Sequence, residues 1–380
     1  MIEFFNENQV MLASVAQELV EREVAPHAAE WDEKDKCPTE LFKVFGQQGM
    51  LGVFVPEQYG GAGLGVTERA IILEEIARHS AGFAIALMTH DLAIAAILNH
   101  GTEEMKTTWL PKLCAAELIG GLSVTEATGG SDLANQVTTI EKNDAGYLLN
   151  GRKVFSTNSH NADLSIWTGT SGVNEKGRKV LSAILIPPGT PGLTAGRKES
   201  KLGLRGSITG DVIAKDVQCG PDAIVGKEGK GVAVALHTIG HYGRSGMAAI
   251  ALGILRASVE EAVKFANERI IYSNPLSRIP EMQSLIADNQ IEYEAASAML
   301  YNATASYDKG KDAVAKLAAA KYFSTEAAVR ASRRTMDLMG GYGVINEYPV
   351  GRFLRDALAN IPSGGTSQIM RVIVAGNLLR

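Results

Sequence analysis

The sequence reads as a mainly α chain with a β domain in its middle: an N-terminal helical domain, an antiparallel β domain and a C-terminal helical bundle. Three observations carry that expectation. Apolar residues recur every three or four positions in both end regions, the signature of amphipathic helix. Between them lie segments that alternate or carry β-branched and aromatic residues, broken by Asn-Gly, Pro-Pro-Gly and Pro-Gly. At 380 residues and 46% apolar composition, the chain can bury a large core and divide into two or three domains. The expected boundaries are 1–118, 119–228 and 229–380.

The helices follow in order. Asn6 or Asn8 can cap a first helix, VMLASVAQELVEREVAPHAAEW. Residues 39–49 form a second helical stretch and lead into the turn-rich MLGVFVPEQYGGAGLGV. Helix resumes over 67–78 and again over 81–99. The latter, AGFAIALMTHDLAIAAILN, is apolar on nearly every face, which marks a helix buried in a core. Thr89, His90 and Asp91 interrupt it. A buried ionised carboxylate needs a partner or a function, so Asp91 has two readings: a core pair with His90 or a neighbouring Arg, or a functional group.

The β texture covers GYLLNGRKVFSTNS, DLSIWTGTS, KVLSAILIPPG and GDVIAKDVQC, ending near Val225. From Gly231 the helical period returns in one long element, followed by helices over 279–309, 311–339 and 350–359. Pro362, Gly364 and Gly365 then break the chain. Thr366 or Ser367 caps a last helix, IMRVIVAGNLL, whose exposed amides offer a seat for phosphate or a developing oxyanion.

Composition narrows the function. A net charge of −5 with mixed signs provides no basic stripe for nucleic acid. Cys37, Cys114 and Cys219 are far apart and odd in number. With no signal-like segment at Met1-Ile2-Glu3, they read as reduced thiols of a cytoplasmic protein. No apolar run reaches transmembrane length without a polar interruption, so no membrane insertion is expected. Neither H-E-x-x-H nor a Cys/His pairing occurs, so no metal site is expected. G-x-G-x-x-G after a strand and G-x-x-x-x-G-K-[ST] are both missing, which leaves a dinucleotide fold or P-loop without support.

The segment LSVTEATGGSD, residues 122–132, is a polar, Gly-rich turn leaving an apolar strand, able to hold a flavin edge or phosphate with backbone amides. Standing alone it would be an ordinary turn. It is followed in order by KVFSTN, KLGLRGS, YGR, MGGYG and GGTSQI, and preceded by GVFVPEQYGGAGLG and GTEEMKTTWLPKL. That series resembles the acyl-CoA dehydrogenases over essentially the whole chain.

The resemblance implies a homotetrameric FAD enzyme with an N-terminal helical domain, a middle β domain and a C-terminal four-helix bundle. It implies an acyl-CoA substrate and an electron-transferring flavoprotein as acceptor. By position, Leu122, Val124, Thr125, Gly130 and Ser131 would line the flavin, Ser131 also lying near the pantetheine arm. Phe155 takes the place of the usual Trp behind the flavin ring, and Thr157 would hydrogen-bond it. Arg269 of a neighbouring subunit would meet the pyrophosphate, with Thr366 and Gln368 nearby. Arg244 resembles the arginine that contacts CoA.

Departures from the family pattern stand at Tyr272, Ser273, Pro280, Asp337 and His241. The largest concerns the base. One branch of the family places a glutamate before GTSQ, where this chain has Gly364; another places it before the arginine of the long helix, where this chain has Gly243. Gly364 retains its N–H and can still serve an oxyanion, but it has no proton acceptor. An α,β-unsaturated thioester has its acidic proton at the γ-carbon and needs a base deeper in the acyl pocket. Asp91 stands on the helix that, by resemblance, lines that pocket. Asp91 is therefore the candidate base, with His90 or Thr89 to orient it and burial to raise its basicity.

In this exchange the chain resembles enzymes of anaerobic aromatic and alicyclic acid metabolism that convert cyclohex-1-ene-1-carboxyl-CoA to cyclohexa-1,5-diene-1-carboxyl-CoA by 1,4-elimination. A second elimination would give the benzoyl thioester. Two other readings stay open: conventional α,β-dehydrogenation of a saturated or alicyclic acyl-CoA, and a non-catalytic flavin- or CoA-binding paralogue.

Overall fold

The computed structural model describes residues 5–379; the Met1-Ile2-Glu3 start lies outside them. Helix α1, Glu7–Glu23, begins in a capping box: Gln9 N–H donates to Asn6 Oδ1 at 2.9 Å, and Asn6 N–H to Gln9 Oε1 at 3.1 Å. Helices α2, Ala28–Lys34, and α3, Glu40–Gln47, follow. Then comes α4, Val66–His100, which joins the two helical stretches expected from the sequence. The break between them is a single residue, Ser80, with φ −144° and ψ 91°. Helix α5, Glu103–Cys114, closes the first region.

The N-terminus of α4 lacks a local side-chain cap because Gly65 precedes it. Asp308, 242 residues away from Val66, replaces one. Its carboxylate accepts from the N–H groups of Val66 and Thr67 at 2.8 and 3.0 Å, and from the Thr67 hydroxyl at 2.5 Å. An anion at a helix N-terminus satisfies orphan donors and complements the helix dipole.

The middle region is a seven-stranded sheet in the order β1-β4-β2-β3-β7-β6, with β5 paired to β4. Its strands are β1 Gly120–Ser123, β2 Thr139–Asn143, β3 Gly146–Thr157, β4 Leu164–Val173, β5 Lys179–Ile186, β6 Leu193–Lys198 and β7 Thr209–Cys219. The sheet is not wholly antiparallel: β1 and β2 both pair with β4 in parallel. The apolar strand expected before the Gly-rich turn is β1, whereas β2 and β6 escaped the sequence reading because they are five and six residues long and largely exposed. Trp167, Leu149 and Ile184 centre a core between the faces of this domain.

The long element expected from Gly231 is α6, Gly231–Thr238, then one π-helical turn, Ile239–Gly243, then α7, Arg244–Glu268. A two-strand hairpin, β8 Ile270–Ile271 and β9 Asn274–Pro275, turns through Tyr272 and Ser273 at φ +50° and +67°. Both departures from the family pattern at these positions thus sit at the centre of a two-residue turn of the type that fits strand twist. Helices α8, Pro280–Asp308, α9, Val314–Met339, α10, Val350–Asn360, and α11, Ser367–Leu378, complete the bundle. Thr366 caps α11, accepting from Ile369 N–H at 3.3 Å.

Helix α4 is the common core element. Among the described residues it is long and apolar enough to cross a bilayer, yet 94% of its most apolar window is buried against the protein's own elements. It packs so closely on α7 that a Cβ at Gly253 would stand 2.4 Å from the Glu74 carbonyl oxygen, and one at Gly246 2.5 Å from Met88 Cγ. The β domain is tied to it by Asn158, whose amide donates to the Ala86 and Gly120 carbonyls at 3.0 and 3.3 Å. The KLGLRGS loop adds a second tie, Leu204 N–H donating to Asp356 of α10 at 2.6 Å.

Replacing Asp308 by Ala leaves two amides and a hydroxyl at the start of α4 without their acceptor. A loss of about 1–2 kcal/mol is expected in urea-induced unfolding, with no loss in an Asp308→Asn variant beyond about half of that. Equal unfolding midpoints for Asp308→Ala and the unmodified protein would contradict this cap.

Candidate active site

Asp91 is 4% exposed, on the second limb of α4. Its Oδ2 accepts from Arg69 Nε at 2.7 Å, and its Oδ1 accepts from the Gly52 amide at 3.3 Å. Arg69 lies on the first limb, and 22 residues of straight helix would set the two about 33 Å apart. The break at Ser80 is what lets them meet. Arg69 is 2% exposed and also donates to the Tyr242 carbonyl at 2.9 Å and the Met88 carbonyl at 3.4 Å. Its guanidinium stands 6.0 Å from the ring centroids of both Phe54 and Tyr242. Every ordinary demand of a buried ion pair is met.

The structure corrects the expected orienting partners. His90 Nδ1 accepts from the Gly120 amide at 2.9 Å, so Nε2 carries the proton and donates to the Leu113 carbonyl at 3.0 Å. Thr89 bonds back to the Ile85 carbonyl at 2.9 Å. Successive helical residues point about 100° apart, so neither side chain faces the carboxylate beside it. Arg69 and Gly52 hold Asp91 instead. Nothing in the sequence pattern distinguished Arg69 from the other cations of its helix; only the break at Ser80 does.

The carbonyl that Arg69 grips belongs to the π-turn, and the next residue is Gly243. A Cβ on Gly243 would stand 3.9 Å from Leu92, the neighbour of Asp91. A Cβ on Gly364 would stand 3.8 Å from the Gly243 carbonyl oxygen and 3.2 Å from Met247 Cγ. The two glycines singled out from the sequence are therefore neighbours in space, beside the helix carrying Asp91. Gly364 has φ +67° and Gly365 φ +111°, a left-handed passage between α10 and α11.

Arg244, the first residue of α7, is 6% exposed, and its Nε and Nη1 have no partner among the described residues. Burial pushes its pKa down. A buried guanidinium with free donors fits an anionic or carbonyl-rich ligand.

The β domain carries the remaining candidate residues. Leu122 and Val124 are buried, Thr125 is half-buried, and Gly130 and Ser131 are exposed. The Val154 amide donates to the Thr125 carbonyl at 2.9 Å, drawing the turn after β1 onto β3. Beneath it, Lys153 is fully buried and donates to Glu126 at 2.7 Å, Gln136 at 3.0 Å and the Val124 carbonyl at 3.2 Å. Glu126 accepts from the amides of Val137 and Thr138 at 2.6 and 3.1 Å. This cluster locks the turn, and sequence reasoning named neither Lys153 nor Glu126 for it. Phe155 follows at a register shift in β3, with φ +54° and 66% of its surface exposed. A large aromatic ring turned outward from a strained strand position fits a flat conjugated ligand such as a flavin ring. Thr157 lies two residues on, paired with Thr209.

Arg269 is not part of this cluster. It follows the last residue of α7, whose 25 residues put it about 37 Å along the helix from Arg244. There its guanidinium stands 5.2 Å from the Tyr342 ring centroid. Thr366 caps α11 and Gln368 lies in its first turn. His241 Nδ1–H donates to the His237 carbonyl at 2.9 Å, and its ring stacks on Tyr307. Asp337 pairs with Arg333 on the surface, and Pro280 opens α8.

The family models match the whole of this architecture: acyl-CoA dehydrogenase N-terminal domain at residues 6–117, middle domain at 121–217 and C-terminal domain at 229–379. An acyl-CoA dehydrogenase of Bacillus subtilis is 36% identical over 374 residues, spanning 98% of both chains. Butyryl-CoA dehydrogenase from Megasphaera elsdenii superposes with a TM-score of 0.96 at 33% identity, over 99% of both chains. A chain in the structure of the electron transferring flavoprotein of Acidaminococcus fermentans, determined in work on flavin-based electron bifurcation, has a TM-score of 0.96 at 32% identity, also over 99% of both chains.

Removing one partner of the buried pair, as in Arg69→Met, strands the other charge; a loss of about 3–5 kcal/mol is expected. The double variant Arg69→Met/Asp91→Asn should recover most of it in denaturant unfolding. Additive losses in the two single variants and the double would contradict the pairing.

Burial also lowers the pKa values of His90 and, to about 4, of His237 with His241 and His100 adding to the effect. The unfolded chain takes up these protons near pH 6.5, the folded chain only at lower pH. Stability is therefore full above pH 6.5 and falls as the pH drops toward 4. A flat unfolding midpoint across that window would contradict the assignment.

The matched domains, the full-length relatives and the superposition on solved relatives together show that this chain is an oxidoreductase of the acyl-CoA dehydrogenase family, whose members depend on FAD.

Proposed function

We propose that the chain dehydrogenates a cyclic enoyl-CoA by 1,4-elimination, converting cyclohex-1-ene-1-carboxyl-CoA to cyclohexa-1,5-diene-1-carboxyl-CoA, with Asp91 as the base. The observation that carries this reading is the pair of adjacent glycines, Gly243 and Gly364, beside a helix that contributes a buried carboxylate. A substrate whose α-carbon bears no proton has no use for a base at either glycine. Its γ-proton is acidified through the alkene by the same thioester carbonyl.

Bound FAD would supply the acceptor for a hydride. Everything else falls to this chain. Asp91 takes the γ-proton, the C–H electron pair forms the new C=C bond, and the existing double bond shifts toward the α-carbon as a hydride leaves from the opposite ring position. The Gly364 amide would donate to the thioester oxygen where negative charge develops. Arg69 and the Gly52 amide use part of the acceptor capacity of Asp91, which offers about four lone-pair sites, so acceptor positions remain for a proton.

Leu122, Val124, Thr125, Gly130, Ser131, Phe155, Thr157, Thr366 and Gln368 would hold the flavin, and Arg244 the CoA moiety. The position of Arg269 at the remote end of α7 suits a reach into a neighbouring subunit, as in a homotetramer. An electron-transferring flavoprotein is the acceptor this reading takes, in line with the family.

A second reading rests on one observation: Arg69 satisfies Asp91 as a structural partner would. On that reading the substrate is a saturated acyl-CoA with its base elsewhere.

The test is anaerobic bleaching of the purified flavoprotein. Cyclohex-1-enecarboxyl-CoA should reduce the flavin and yield the diene thioester, while butyryl-CoA should leave it oxidised. Asp91→Asn should retain FAD yet reduce at least about 1,000-fold more slowly. Bleaching by butyryl-CoA alone would exclude the 1,4-elimination, and an unimpaired Asp91→Asn variant would assign Asp91 to the core.

A further inference from the structure

Lys321 is a buried charge that the chemistry above leaves unused. It stands on α9 with 0% exposure. Its ammonium donates to the carbonyls of Ile361 and Gly365, the latter at 2.8 Å. Glu326, one turn on, accepts instead from the Ser367 hydroxyl at 2.6 Å. Arg244 of α7, also buried, acts on it as a like charge. Among the described residues neither of these two buried cations is held in an ion pair.

A clamp on two carbonyls does not require a charge. Asn360, beside it, ties the same loop to the Met247 carbonyl at 3.0 Å with a neutral amide. A buried ammonium carries a desolvation penalty that a neutral donor avoids, so its charge calls for a separate explanation. The position of the clamp supplies one. Its two acceptors bracket Gly364, whose N–H has no protein acceptor among the described residues. The bonds also fix the left-handed passage at Gly364 and Gly365, φ +67° and +111°.

We propose that Lys321 is a positioning residue for dehydrogenation: it holds the Ile361–Gly365 loop so that the Gly364 amide meets the thioester oxygen, and its charge stabilises the enolate that forms there. The inference rests on the assignment of the Gly364 amide to that oxygen, and is separable from it by experiment. It holds for saturated and unsaturated thioesters alike, because both place developing charge on the same atom. Burial lowers the Lys321 pKa to about 8, against Glu326, which raises it, and with Arg244, which lowers it further. The ammonium is therefore lost as the pH rises through 8, and the stabilisation with it.

The test uses FAD-loaded protein and two variants, Lys321→Met and Lys321→Arg. A 3-oxoacyl-CoA, which binds without being dehydrogenated and ionises to an enolate on the thioester, reports the site by its long-wavelength absorption with the flavin. In the unmodified protein the enolate should form, with an apparent pKa below that in water. Lys321→Met should raise that apparent pKa by about one unit or more and lower kcat roughly 10–100-fold with little change in KM. Lys321→Arg keeps its charge to high pH and should move the alkaline limb of kcat upward from about 8. No enolate band in the unmodified protein would overturn the Gly364 assignment and this inference together. An unshifted enolate pKa in Lys321→Met would overturn this inference alone. Should that variant not fold, an alkaline limb unchanged in Lys321→Arg overturns it equally.

Discussion

The contact between Arg69 and Asp91 sets the geometry of the site. It joins the two limbs of α4 across the break at Ser80, and a continuous helix would forbid it. From Arg69 the connection runs on to the Tyr242 carbonyl in the π-turn, and so to Gly243 at the start of α7. A π-turn shifts the helical ladder by one residue and redirects the carbonyls within it, which is why such turns recur at functional sites. Removing either charge would leave its partner buried among Phe54, Tyr242 and the α4–α7 interface.

In the β domain, the turn proposed to line the flavin depends on a second buried pair, Lys153 with Glu126. The two pairs act alike. Each fixes a turn by supplying donors or acceptors to backbone groups that no secondary structure satisfies. Lys321 does the same for the loop at Gly364. The proposed site thus draws on three backbone segments, each held by a buried charged side chain.

The domain order was legible because helical and strand periodicities differ and change sharply near Gly121 and Gly231. The limits of legibility were physical. The two helical stretches over 67–78 and 81–99 were legible, and they part at Ser80; what the sequence did not show is that the break brings Arg69 back onto Asp91. The π-turn likewise hides inside a continuous apolar pattern. Strands β2 and β6 are too short and too exposed to alternate clearly, and the apolar strand read before the Gly-rich turn carried no sign of its parallel pairing with β4. At the site, Gly243 and Gly364 were conspicuous through motif position, and the structure brings them together. Lys153, Lys321 and Arg69 were not, because a buried lysine and a surface lysine look the same in sequence. The orientation of His90 away from Asp91 required the neighbouring Gly120 amide, which only the fold supplies.

The central claim is that a proton leaves the γ-carbon to Asp91 while a hydride leaves from across the ring. Its most direct measurement is the deuterium isotope effect on flavin reduction, with cyclohex-1-enecarboxyl-CoA labelled separately at the two ring positions flanking the alkene system. The account predicts a primary effect from each label, with the γ-label effect disappearing into an undetectably slow reduction in Asp91→Asn. A primary effect from the hydride position alone, with the γ-label silent, would contradict it.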